Sequence, residues 1–143
     1  MQVPIALIVD DDSDFRSVLG EVLGDEGYRV LEASNGNEAL DVLDSLKPDV
    51  ILVDLIMPVM NGWALFAAIE ALNELRSTPV VFLSAVPHMA PGGGSLVVKK
   101  PLDLPALMTL LDALRPEPSS SEMRIKAAPR TAPAYRLRGP NRR

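Results

Sequence analysis

Acidic, hydroxyl and basic side chains directly follow four apolar segments of this 143-residue chain. Asp10 and Asp11 follow the first of these segments, Asp54 the second, Ser84 the third and Lys100 the fourth. Carboxylates bind hard divalent cations and can attack phosphorus, whereas a hydroxyl and an ammonium donate hydrogen bonds to phosphate oxygens. If the fold brings these positions together, they could handle a phosphoryl group.

The segment that places Asp54 is DVILVDLIMPVMNG, residues 49–62. Val50 to Val53 form a continuous apolar run, which is typical of a strand buried on both faces of a parallel sheet. Pro58 ends ladder pairing and Asn61-Gly62 begins the next helix, so Asp54 is predicted at the carboxyl end of a strand. In open α/β sheets, this edge carries the functional site.

Five such strands alternate with helical patterns, and Asp12 or Ser13 and Asp103 are predicted to cap the first and last helices. The second helix is expected to extend to Lys47-Pro48. The pattern predicts an α/β, doubly wound five-stranded parallel sheet, and the known order for this strand count, that of flavodoxin-like proteins, is 2-1-3-4-5. In that order, Asp10 and Asp11 lie beside Asp54. The strands are Ile5 to Val9, Tyr28 to Ala33, Val50 to Asp54, Pro79 to Leu83 and Leu96 to Lys99.

The connection between the fourth and fifth strands is unusually short. It has eleven residues, 85–95, and contains Pro87, Pro91 and three glycines. A parallel crossover generally takes about a dozen residues and a helix, and proline and glycine disfavour helix formation. We therefore expect the fourth helix to be shortened or missing, with at most one helical turn near Pro87 to Ala90.

Charge divides the chain into two parts. Residues 1–115 hold 17 acids and 7 Lys/Arg, a net charge of −10, whereas residues 116–143 hold 2 acids and 7 Lys/Arg, a net charge of +5. The second part is rich in Pro, Ser and Arg and lacks periodicity, so we predict one domain over 1–115 and a disordered basic tail over 116–143. The absence of cysteine excludes thiolate metal sites and disulfides. With neither a membrane-spanning apolar run nor a signal peptide, we expect a cytoplasmic protein without membrane insertion.

Three adjacent carboxylates require a cation, because two like charges roughly 4 Å apart repel by about 4 kcal/mol at an intermediate dielectric. Mg²⁺, or Mn²⁺ in its place, suits an oxygen ligand set that leaves positions open for phosphate. Lys100 supplies a second positive charge, and Ser84 a hydrogen-bond donor. The sequence therefore predicts a phosphoacceptor site.

Four motifs in this order resemble the receiver domain of two-component response regulators, here of the stand-alone, single-domain type. They are VDDD at 9–12, VDLIMPVMNG at 53–62, LSA at 83–85 and KKP at 99–101. The resemblance implies that Asp54 accepts a phosphoryl group from a histidine kinase or phosphotransfer protein. It also implies a metal site formed by Asp10, Asp11, Asp54 and the backbone oxygen of Ile56.

The same resemblance assigns Ser84 as the switch hydroxyl and Lys100 as the cation that pairs with the phosphoryl group. Ile56 and Val86 would flank the attacking water and set the rate of dephosphorylation. The resemblance implies self-phosphorylation and self-dephosphorylation chemistry rather than a conventional enzyme, and an output through binding of a downstream protein partner that the sequence does not identify. The family's aromatic switch position is occupied here by Val97.

Two other functional classes are rivals to this interpretation. An aspartyl-phosphate hydrolase would need a second acid two residues after Asp54, where this chain has Ile56. A receiver-like interaction module acting without phosphorylation is the alternative that we retain. Nucleic-acid binding by the tail is not expected, because its cations are scattered. Asp12 and Asp14 are interpreted as helix caps, His88 as a surface residue and Gly92 to Gly94 as a connector rather than a phosphate loop.

Overall fold

The five predicted strands form one parallel sheet. In a computed structural model, which describes residues 3–75, 77–91 and 96–115, the strand order is β2-β1-β3-β4-β5. The predicted fold class and strand order are therefore confirmed, while the predicted tail at 116–143 lies outside the described residues. The strands are β1 (Ile5–Val9), β2 (Arg29–Ala33), β3 (Val50–Asp54), β4 (Val80–Ser84) and β5 (Leu96–Lys99).

Every α-helix of the described residues begins after an Asp or Asn side chain. Each of these side chains accepts a hydrogen bond from the backbone N–H three residues later, which satisfies a donor that the helix itself leaves unpaired. Asp12 and Asp103 were predicted from the sequence, and both cap their helices. The helices are α1 (Ser13–Asp25) after Asp12, α2 (Gly36–Leu43) after Asn35, α3 (Gly62–Glu70) after Asn61 and α4 (Leu104–Leu114) after Asp103.

The prediction that α2 continues to Lys47-Pro48 is wrong, because the helix ends at Leu43. Beyond that residue, the backbone N–H of Ser45 donates to the Val42 carbonyl at 3.2 Å, a tighter turn than an α-helix makes. The Ser45 hydroxyl also donates to the same carbonyl, at 3.4 Å. Leu46 is half-buried and continues the apolar pattern without being helical, which explains why periodicity alone placed the helix end too late.

The core lies on both faces of the sheet because alternate strand residues point to opposite sides. Leu7, Ile51 and Phe82 face α2 and α3, whereas their neighbours Ile8, Leu52 and Leu83 face α1 and α4. All six side chains are fully buried. Strands β1, which Asp10 follows, and β3, which ends at Asp54, are thus packed on both faces, and this fixes the positions of the two acids.

The connection from β4 to β5 contains a short 3-10 helix, Pro87–Met89, as the only helical element in its described part, residues 85–91. The amides of Met89 and Ala90 donate to the carbonyls of Val86 and Pro87, at 3.0 and 3.1 Å. The expected single turn near Pro87 to Ala90 is therefore confirmed, and residues 92–95 lie outside the described part. No helix of the described chain is long and apolar enough to cross a membrane.

Candidate functional site

Asp10, which directly follows β1, is buried and fully hydrogen-bonded. Its Oδ1 accepts from the backbone N–H of Asp12 at 2.9 Å, and its Oδ2 accepts from Lys100 Nζ at 2.8 Å. Its backbone N–H donates to the Ala33 carbonyl at 3.1 Å, and its carbonyl accepts from Arg16 Nη1 at 2.6 Å. Both the backbone and the carboxylate of Asp10 are therefore held in place.

Asp54, at the end of β3, lies in an environment that is less favourable for a carboxylate than an aqueous one, and it is farther from Lys100 than Asp10 is. Its Oδ1 is 3.8 Å from Lys100 Nζ, a full ångström farther than Asp10 is. The pKa of Asp54 is raised from 3.8 to about 6, first by burial and then by the Asp10 charge, while Lys100 and the Ile56 backbone N–H oppose this shift. Without a bound cation, the Asp54 carboxyl thus ionises less readily than an ordinary aspartate.

Asp10, Asp11 and Asp54 converge as the sequence predicted. One carboxylate oxygen from each residue lies within 4.8 Å of the other two, and Asp11 is the exposed member of the group. Carboxylate oxygens are the donors that Mg²⁺ and Mn²⁺ bind, and an exposed member leaves room for water and substrate oxygens. The donor set therefore fits a hard divalent cation. The predicted contribution of the Ile56 carbonyl oxygen stays a prediction.

Ser84 ends β4 and Lys100 follows β5 at the same edge of the sheet, where Lys100 reaches the acids. The Ser84 side chain is buried at the end of β4, and its Oγ accepts from the Val86 backbone N–H at 2.9 Å. The Lys100 backbone N–H donates to the Ser84 carbonyl at 2.8 Å, which couples the ends of β4 and β5. Lys99 is exposed, and it is Lys100 whose ammonium contacts Asp10. The predicted pairing of Lys100 with a phosphoryl group stays a prediction.

The residues predicted to control hydrolysis are apolar and differ in exposure. Ile56 is 58% exposed, whereas Val86 is half-buried. Val97, at the aromatic switch position, is half-buried and packs with the α2 and α3 face of the core. The structure thus offers no aromatic side chain at this strand position.

Three contacts near the site were not found from the sequence. The Phe15 ring lies under the Lys100 ammonium, with Nζ 4.2 Å from the ring centroid. Arg16 joins the Asp10 carbonyl to Glu32, whose Oε1 accepts from Arg16 Nε at 3.0 Å. Trp63 Nε1 donates to the Met89 carbonyl at 2.8 Å, which ties α3 to the connection after β4. The helical pattern marked Phe15 only as an apolar position, and no local signal reveals a partner 85 residues away.

Gly62 allows α3 to begin close to the strand that carries Asp54. Its N–H donates to the Leu55 carbonyl at 2.8 Å. A Cβ added at Gly62 would lie 2.8 Å from both the backbone carbonyl oxygen of Asp54 and the Cα of Leu55. The sequence indicated this glycine only as part of a helix start. In the structure it is a position where a side chain has no room.

Comparison with known families decides the assignment of this arrangement. The sequence profile of the response regulator receiver domain matches residues 6–112. The chain belongs to this receiver family. The assignment agrees with the five strands, with their order in the sheet and with the acid cluster at the carboxyl edge.

Individual relatives agree with the family. The chain is 42% identical over 79 residues to the transcriptional regulatory protein CpxR of Escherichia coli K12, a match covering 55% of this chain and 32% of CpxR. The chain thus spans about a third of the length of this relative.

Solved structures give the same assignment. Chemotaxis response regulator CheY4 of Vibrio cholerae superimposes with a TM-score of 0.71 at 28% identity, covering 79% of this chain and 99% of the other. Response regulator TrrA of Thermotoga maritima, solved in complex with Mg²⁺ and BeF, gives a TM-score of 0.70 at 27% identity, covering 78% and 98%.

Proposed function

We propose that this receiver domain accepts a phosphoryl group on Asp54 from a histidine kinase or a phosphotransfer protein, and that phosphorylation changes its binding to a downstream protein. The observation that carries the proposal is the convergence of Asp10, Asp11, Asp54 and Lys100 on one edge of the sheet. The complex of the similar TrrA with Mg²⁺ and BeF supports a comparable ligand set here. In this proposal the domain is the phosphoacceptor rather than a conventional enzyme.

The transfer requires an ionised Asp54. A carboxylate oxygen of Asp54 attacks phosphorus while the bond from phosphorus to the donor nitrogen breaks, and the electron pair and a proton stay with the donor imidazole. Mg²⁺ or Mn²⁺, held by Asp10, Asp11, Asp54 and the Ile56 carbonyl oxygen, would supply positive charge that favours the ionised acid and the phosphoryl oxygens. Lys100, which already lies between Asp10 and Asp54, would pair with the phosphoryl group.

The proposed output begins at Ser84. Its Oγ accepts from the Val86 N–H, and Val86 begins the turn that carries Met89. If the hydroxyl rotates to donate to a phosphoryl oxygen, the Val86 N–H loses this partner and the turn must adjust. Through the bond between Met89 and Trp63, the adjustment would reach α3. This route needs no aromatic residue at Val97.

Beryllofluoride with Mg²⁺ tests the proposal, because it imitates a phosphoryl group without transfer. We expect shifts in the amide spectra around Asp54 and Ser84, and a change at the indole of Trp63, the single tryptophan of the chain. Asp54→Asn should not respond. A silent wild type would favour the alternative, an interaction module acting without phosphorylation, and an equal response of Asp54→Asn would place binding elsewhere.

A further inference from the structure

Lys100 is held by an aromatic face as well as by acids. Its Nζ lies 2.8 Å from Asp10, 3.8 Å from Asp54 and 4.2 Å from the centre of the Phe15 ring, and the lysine side chain is 23% exposed. Within about 6 Å, the negative face of an aromatic ring attracts an ammonium, and desolvation strengthens this attraction. The charged end of Lys100 is therefore confined on two sides.

Both partners of this contact are anchored through their backbones. The Phe15 N–H donates to Asp12 Oδ1 at 3.1 Å within the cap of α1, and the ring packs with the α1 and α4 face of the core. The Lys100 N–H donates to the Ser84 carbonyl. With each main chain fixed, only side-chain rotation is needed to bring the ring and the ammonium together, and the ion pair with Asp10 restrains the ammonium.

An aromatic face is well suited to this position. An acid at residue 15 would also attract Lys100, but it would add a fourth carboxylate and occupy a donor that a phosphoryl oxygen needs. An aliphatic side chain would leave that side of the ammonium against hydrocarbon, which disfavours the charge. The ring attracts the ammonium and leaves its N–H donors to the anions in front of it.

We infer that Phe15 is a positioning residue for Lys100, holding the ammonium at the acids where it can pair with a phosphoryl group on Asp54. The inference rests on the proposed phosphoacceptor function for its consequence, whereas the contact itself does not depend on phosphorylation. Replacing the ring by an aliphatic side chain of similar size should therefore remove the attraction that positions the Lys100 ammonium, while still filling the space of the ring.

The first test examines the contact in the apo protein. In lysine-labelled protein, ring current should shift the ε-CH₂ resonance of Lys100 upfield, and Lys100→Gln assigns that resonance. Phe15→Tyr should keep the shift and Phe15→Leu should remove it, while the exposed Lys99 serves as the unshifted reference. An unshifted Lys100 in the wild type would overturn the inference.

The second test examines the consequence. With acetyl phosphate and Mg²⁺, Phe15→Leu should label Asp54 about three- to tenfold more slowly, the size of a partly desolvated cation–aromatic contact, and Phe15→Tyr should restore the rate. Phe66→Leu, which removes a ring from the Phe66–Phe82 core contact, is the matched control and should label normally. Free energies of unfolding, measured for every variant, show whether each is folded.

A double variant separates positioning from general packing. In a Lys100→Ala background, Phe15→Leu should slow labelling no further. An unchanged rate in Phe15→Leu, or an equal loss with and without Lys100, would overturn the positioning role. A wild type that cannot be labelled would refute the proposed function, and the resonance of Lys100 would then decide the contact separately.

Discussion

Two parts of the site are held in different ways. The acid side, residues 10–16 and 54–62, follows two strands buried on both faces, and its turns are fixed by the Asp12 and Asn61 caps and by Arg16 on the Asp10 carbonyl. The connection, described over residues 85–91, follows β4 and is held by one short 3-10 helix, by the Val86 N–H bond to Ser84 and by the Trp63 bond to Met89. Under the proposed function, the firmly held part would carry the chemistry and the lightly held part would move.

Of the substitutions considered, Gly62→Ala should destabilise the acid side most strongly. The added Cβ would lie 2.8 Å from backbone atoms of Asp54 and Leu55, which cannot rotate away, so we expect the free energy of unfolding to fall by about 1–3 kcal/mol. Gly24→Ala is the matched control. Its Cβ meets nothing within 4 Å inside α1, and it should stabilise the fold by up to about 1 kcal/mol. Urea unfolding measures both, and a neutral Gly62→Ala would contradict the close approach.

In the absence of metal, Asp54→Asn should raise the free energy of unfolding by an amount that depends on pH. The pKa of Asp54 rises from 3.8 to about 6 on folding, so the folded state gains stability from protonated Asp54 at low pH and loses it as pH rises through about 6. The variant has no ionisable group at position 54, so its stability does not fall in this way as pH rises. Its advantage over the wild type should therefore grow between pH 3.8 and about 6.

The advantage of Asp54→Asn should reach about 1–2 kcal/mol near neutral pH, since one pKa unit corresponds to about 1.4 kcal/mol and partial exposure screens the charges. Mg²⁺ should then stabilise the wild type more than the variant, because a cation that binds the folded state favours it by mass action. Unfolding curves across pH measure this difference. A constant difference, or a less stable variant at neutral pH, would show that the fold does not disfavour the ionised Asp54 carboxylate.

The phosphoryl lifetime tests both parts at once, since Ile56 lies on the acid side and Val86 on the connection. Neither side chain can orient water by a hydrogen bond, so we expect slow self-dephosphorylation. Replacing Ile56 with Asn and Val86 with Glu should speed loss of the phosphoryl group roughly tenfold, below the full effect of a positioned general base. Decay of labelled protein measures the rate, and an unchanged or slower decay would count against these assignments.

Trp63→Phe should have the smallest effect and should act on the connection alone. It removes the donor to the Met89 carbonyl but keeps a ring, at a cost of about 1 kcal/mol. The amides of Met89 and Ala90 should then exchange with solvent about fivefold faster, while those of α1 keep their rates. If the connection exchanges no faster, or α1 changes equally, the distinction between the two parts is wrong.

The sequence predicts the acid side well and the links between elements poorly. Asp10 and Asp54 could be placed because each ends a continuous apolar run, and strand order then makes them neighbours. The contacts of Phe15 with Lys100 and of Trp63 with Met89 join residues 85 and 26 positions apart, and no periodicity encodes such pairs. The end of α2 was missed because Leu46 continues the apolar spacing after the helical hydrogen bonds have stopped.

The identity of the phosphoacceptor is the central claim, and direct labelling tests it. After incubation with acetyl phosphate and Mg²⁺, mass spectrometry should find one acid-labile phosphoryl group per chain, located on Asp54. Asp54→Asn, or wild type with the metal removed by a chelator, should carry none. A label on another residue, or equal labelling of Asp54→Asn, would contradict the account.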